Sequence, residues 1–261
     1  MIRSTPLRAA GFTIIEVVMF LAISGALTIG LMGGIGASIN SQRYKDAVNT
    51  HVSDFRDEYS SVTNVANDRA GEYSCTPSGG VVRSSGPLTN MERGTHQSCA
   101  IVGRLLISNG DGSGFVSQPV FATREVRRET FTGGDLQALQ AADLVVETTE
   151  GDKMAINERN LQWQATYAQV DSSRVFTNFA VLIVRSPLSG SVRTFVHNGQ
   201  APSNRTAFIR NQLLSDASAQ QLIVCINGGG LVGDGVRTGV TIARNAGGSG
   251  GVDFASEDIC R

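Results

Sequence analysis

The residue types best suited to chemistry are scattered through this chain. Its three histidines, His51, His96 and His197, stand far apart and form neither H-x-x-x-H nor H-E-x-x-H, so a metal centre has no support in their spacing. The four cysteines, Cys75, Cys99, Cys225 and Cys260, lack C-x-x-C spacing and read as paired, which leaves no thiol nucleophile. NGDGSG (109–114) and GGGLVGDG (228–235) carry neither the lysine of a phosphate loop nor the ligand count of a calcium loop, and turn chemistry accounts for both. No metal, cofactor or enzymatic activity is therefore expected. One acid stands out instead: Glu16, in RAAGFTIIEVVMFLAISG (8–25), is the only formal charge between Phe12 and Ile39. A carboxylate held in hydrocarbon costs on the order of 3 kcal/mol near a helix centre and less near an interface, so Glu16 requires a partner.

The element that positions Glu16 is a helix long enough to span a membrane. Residues 12–39 give about 42 Å of helix, against a hydrocarbon core of roughly 30 Å. The preceding residues carry Arg3 and Arg8 and no acid, which holds them in the cytoplasm and sends the C-terminal part outward. A secretory signal would have a shorter apolar core with its small residue after that core; here Gly11 precedes the run. At 261 residues and a net charge of -1, the chain has room for this segment and a globular domain, with no global field that would recruit nucleic acid or a basic partner. Lysine occurs only at Lys45 and Lys153, the remaining positive charge being arginine.

The short basic leader, Gly11, Phe12, the apolar Thr13-Ile14-Ile15, Glu16 and the long apolar run resemble the N-terminus of type IV prepilins and pseudopilins. The resemblance covers about twenty residues and none of the head. It implies cleavage between Gly11 and Phe12 by a prepilin peptidase, methylation of the new Phe12 amine, and assembly through Glu16, which would meet that amine on a neighbouring pilin subunit. An α-amine is largely cationic at neutral pH, so the pair would disfavour misregistered packing. It also implies an α+β, type IV pilin-like fold: leader 1–11, transmembrane and filament-core helix 12–39, an amphipathic half of the same helix 40–70, and a β-rich head 71–261. The length suits a minor pilin or pseudopilin better than a repeating major subunit. Gly30 and Gly34 form a small-x-x-x-small pair that allows close helix approach, and the helix-breaking proline common in that family is missing from the run.

Beyond Ile39, Val48, Val52, Phe55, Tyr59, Val62 and Ala66 recur at alternating spacings of three and four, which predicts one apolar stripe packed on a sheet, in a helix continuous from Phe12 to about Arg69 with Gly71 as its stop. Residues 71–99 read as a long irregular connection. Strands are expected at 100–107, 114–126, 142–149, 160–170, 175–186, 191–198, 220–227 and 237–244, forming an antiparallel sheet or meander. A helix is expected at 203–218 with Ser203 or Asn204 as cap, although Asn204-Arg205-Thr206 also fits a glycosylation acceptor. Four cysteines allow three connectivities; local order favours Cys75 with Cys99 and Cys225 with Cys260, and a disulfide-closed C-terminal region is also frequent in the resembled family. Some minor pilins bind DNA through C-terminal arginines, and Arg237 and Arg244 are the corresponding candidates here, but a seven-residue separation points them to opposite faces of a regular strand. The alternative to a filament subunit is a membrane-anchored extracytoplasmic binding domain whose helix serves only as an anchor.

Overall fold

The computed structural model describes residues 13–64, 73–75, 81–83, 100–129, 131–146, 156–168, 177–229, 237–256 and 258–260. Its first element is the expected long helix, α1 (Ile14–Thr63), 50 residues without a break and so about 75 Å long. It stops short of Arg69: the β-branched Val62 and Thr63 propagate a helix weakly, and the Asn64 N–H closes the last turn on the Ser60 carbonyl at 2.8 Å. Ala66 and Gly71 lie outside the described residues.

The remaining strands are β1 (Tyr73–Cys75), β2 (Val81–Arg83), β3 (Ala100–Ser108), β4 (Gly114–Ala122), β5 (Leu144–Val146), β6 (Asn157–Asn160), β7 (Thr166–Tyr167), β8 (Phe179–Arg185), β9 (Val192–Asn198), β10 (Leu222–Asn227), β11 (Thr238–Ile242) and β12 (Val252–Ala255). Two short helices, α2 (Asp135–Ala141) and α3 (Arg205–Phe208), lie between the strands. All pairings are antiparallel. They build two main sheets rather than one: β5-β4-β3-β8-β9, with β6 also on β4, and β12-β11-β10-β7. The β1–β2 hairpin falls inside the stretch expected to be irregular.

The stripe on α1 is the shared wall of both sheets. Val48, Val52, Phe55, Tyr59 and Val62 are buried with Leu106, Val181 and Ile183 of the larger sheet and Leu222, Val224 and Ile226 of the smaller one. Strand alternation explains how the larger sheet supports a second core. On β8, Val181 and Ile183 face α1, whereas Leu182 and Val184 face a layer containing Leu139 of α2 and Phe208 of α3. A strand buried on both faces reads as the continuous apolar run FAVLIVR.

Three expected elements take other forms. Of the strand expected at 160–170 only β7 forms among the described residues, β6 ending at Asn160 in the other sheet; Trp163 and Gln164 between them both have φ of 60°, which interrupts an extended strand. The strand from 114 ends at Ala122, and its Pro119 falls where neither β6 nor β5 pairs with β4. The helix expected at 203–218 is one α-turn followed by a π-turn, Ile209–Leu213, and a 3-10 turn, Asp216–Ser218. The wider i to i+5 turn, closed by the Leu214 N–H on the Ile209 carbonyl at 3.0 Å, lets Phe208, Ile209 and Leu213 all reach the sheet.

Candidate functional site

Among the described residues nothing packs around the N-terminal half of α1: Ile14, Phe20, Leu27, Leu31 and Ile35 are all exposed. It is long and apolar enough to cross a membrane. Two of its hydroxyls are satisfied within the helix, as a bilayer would require. Ser24 Oγ donates to the Phe20 carbonyl at 2.7 Å and Thr28 Oγ1 to the Ser24 carbonyl at 2.8 Å. A Cβ added at Gly30 or Gly34 would meet open space, so the notch between them is unfilled, and the helix runs unbroken through the glycine cluster.

Glu16 finds a partner inside its own chain. Thr13 is the N-cap, its hydroxyl accepting from the Glu16 N–H at 3.4 Å, and the Glu16 carboxylate accepts from the Thr13 N–H at 2.9 Å and the Thr13 hydroxyl at 3.0 Å. This reciprocal arrangement is a capping box, and it places the carboxylate at the positive end of the helix dipole. The acid expected to need an intermolecular partner is therefore stabilised within its own chain. Gly11 and Phe12 lie outside the described residues.

The second half of α1 is fixed to the head by buried polar contacts that the stripe alone does not reveal. Tyr44 Oη donates to the Ile226 carbonyl at 2.9 Å and accepts from the Thr238 N–H at 2.7 Å. Arg56 donates to the Val252 carbonyl at 2.9 Å. The Thr194 hydroxyl donates to the Ala246 carbonyl at 2.7 Å, so its 2.6 Å partner Tyr59 Oη is the donor of that pair. Glu58, only 2% exposed, accepts from Ser117 Oγ at 2.6 Å and lies 3.6 Å from Arg159 Nε and 3.9 Å from Arg104 Nε. Arg159 also reaches Asp54 at 3.5 Å. Burial raises the Asp54 pKa, with Arg159 opposing and the nearby Asp57 and Glu58 charges adding to the rise. His51 is buried among Phe55, Phe115 and Tyr167, with Nε2 at 2.9 Å from Tyr167 Oη and Nδ1 unpartnered. Burial pulls its pKa down to about 3, holding the ring neutral. His51 and Glu58 were legible as inward residues: each lies three or four positions from two members of the stripe, the same offset as Tyr44 from Val48.

Among the other candidates, Cys225 and Cys260 form the expected disulfide, with Cα atoms 5.5 Å apart and both residues buried. The side chains of Cys75 and Cys99 lie outside the described residues. Arg237 immediately precedes β11 and Arg244 follows it by two residues, so the strand separates them, and neither has an ion-pair partner among the described residues. NGDGSG is the β3–β4 turn: Asp111 accepts from the Ser113 N–H at 2.9 Å, and Gly112 has φ of 72°. Asn204 caps α3, accepting from the Ala207 N–H at 3.1 Å. His197 packs edge-on against Phe208 at 5.0 Å, and His96 lies outside the described residues. GGSGG at 247–251 matches the nucleophile pattern G-x-S-x-G, but Ser249 opens a 3-10 turn that leads into β12 and not a strand-to-helix elbow. Among the described residues no group of three His, Cys, Asp or Glu could hold a metal ion. No family model, curated protein or solved structure matches this chain.

Proposed function

We propose that this chain is a structural subunit of a type IV pilin-like filament, a minor pilin or pseudopilin, cut between Gly11 and Phe12 by a prepilin peptidase, methylated at Phe12, and held in the membrane by α1 until it packs against other pilin subunits. The observation that carries the reading is the division of one continuous helix. Residues 14–39 expose an apolar surface with a glycine notch, and residues 44–62 are the core of the head. Packing the first half against neighbours would place each head rigidly, because no break separates the halves.

The Thr13–Glu16 capping box favours a second reading, in which the helix is only an anchor and Glu16 only a cap. Glu16→Gln separates the two, since glutamine still completes a capping box but cannot pair with an amine as an anion. A filament subunit carrying it remains membrane-inserted and cleaved, yet drops out of sheared filaments; unchanged incorporation removes the assembly role. Mass spectrometry of the mature protein should find a methylated Phe12 at its N-terminus, and a chain still beginning at Met1 or cut beyond Ser24 rejects the prepilin reading.

A further inference from the structure

We propose that the end of the head nearest the apolar half of α1 is an interfacial collar, built from Trp163, Arg43 and Arg237, that rests on anionic lipid headgroups while the helix spans the bilayer. The inference rests on the membrane-anchoring part of the proposed function and on none of its filament part.

Three observations converge on this rim. Trp163 is 47% exposed on the turn where the chain crosses from one sheet to the other, and its backbone is left-handed, with φ of 60°. That conformation is costly for a bulky residue, and it fixes the turn that carries the indole. The Arg43 guanidinium sits 4.8 Å from the Trp163 ring centroid, so the indole is held against α1 at the point where the helix enters the head. Arg237 is at the same level, because the next residue, Thr238, donates its N–H to Tyr44. Exposed Lys45 adds a further cation and Asp46 an opposing acid.

Distance along the helix places the rim in the headgroup layer. Ile39, the last residue of the apolar run, is 41% exposed, and Arg43 follows it by about 6 Å of helix. The polar layer on each side of a bilayer is about 5–7 Å thick. Tryptophan and arginine are the residues that favour this layer, the indole because one end is apolar and the other donates a hydrogen bond, the guanidinium because it meets phosphate. Basic residues near the surface draw toward anionic lipid, which selects the charge of the partner.

Trp163 is the sole tryptophan, so its fluorescence reports the rim directly. The full chain is reconstituted into phosphatidylcholine vesicles with and without phosphatidylglycerol, and insertion is checked by flotation and resistance to alkaline extraction. The expected result is a blue-shifted emission in phosphatidylglycerol vesicles, quenched more by lipids brominated near the glycerol end of the acyl chain than by lipids brominated near its tip. Arg237→Gln, which leaves the Arg43–Trp163 contact in place, should reduce that quenching toward the level in phosphatidylcholine alone. An inserted protein whose Trp163 emits as in water and is quenched by iodide overturns the collar and spares the anchor. Failure to insert overturns both. A blue shift that depends on protein density and ignores brominated lipid assigns Trp163 to a contact between copies and also overturns the proposal.

Discussion

The buried, uncharged ring of His51, whose Nδ1 has no hydrogen-bond partner, predicts a steep acid sensitivity of the head. The perturbation is pH, compared between the native chain and His51→Gln, whose amide reaches the position of Nε2 and can keep the Tyr167 contact without titrating. The sign follows from burial. The His51 pKa falls from 6.5 in an unfolded chain to about 3 in the folded protein, so the unfolded state takes up a proton that the native state refuses. Stability from this group is intact above the unfolded pKa and is lost as pH falls from there toward about 3. Each pH unit within that window costs about 1.4 kcal/mol, giving roughly 2–3 kcal/mol between pH ~7 and pH ~4.5. That is a large part of a typical stability of about 5–15 kcal/mol. Asp54 runs the other way, because its raised pKa makes the native state the stronger proton acceptor, and it is common to both proteins. The assay is urea unfolding of both proteins in detergent, followed by near-ultraviolet circular dichroism across this pH range. The native chain should lose stability relative to His51→Gln as pH falls. A difference that stays flat from pH ~7 to pH ~4.5 refutes the reasoning.

Two further outcomes test the junction of helix and head. Glu58→Ala removes the carboxylate facing Arg104, strands the buried Ser117 hydroxyl and leaves Arg159 with Asp54 alone, and should cost about 2–3 kcal/mol in urea unfolding; a loss below about 1 kcal/mol would mean that Glu58 behaves as a surface charge. Replacing Cys225 and Cys260 together by serine opens a closure of 35 residues and should cost about 3–4 kcal/mol by chain entropy, read as a lower thermal midpoint; an unchanged midpoint would mean that the closure does not constrain the unfolded chain.

How much of this was legible depended on whether a signal was local. The run around Glu16 and the stripe from Val48 to Val62 announce a single long helix, because charge depletion and a repeat of three and four survive without tertiary context. Strands such as FAVLIVR were found for the same reason. What the sequence concealed was partnership. Ser117, Arg104 and Arg159 come from β4, β3 and β6, and nothing in their spacing points them at Glu58. Trp163 lay within an expected strand, since propensity favours an aromatic there, while the transfer between sheets required a left-handed turn. The intramolecular cap on Glu16 is readable, as Thr13 precedes it by three residues in a capping-box pattern, whereas the apolar run around it equally suits an outside partner.

The position of α1 between two sheets also decides how the molecule bears force. Tension applied through residues 14–39 travels along an unbroken helix into a segment whose buried face is lined by both sheets and whose side chains are tied at Tyr44, Arg56, Glu58 and Tyr59. Withdrawing that segment shears every one of these contacts together, so fraying a single strand gives no relief. The head therefore yields to traction along the helix as one unit, at the load that opens its whole central core.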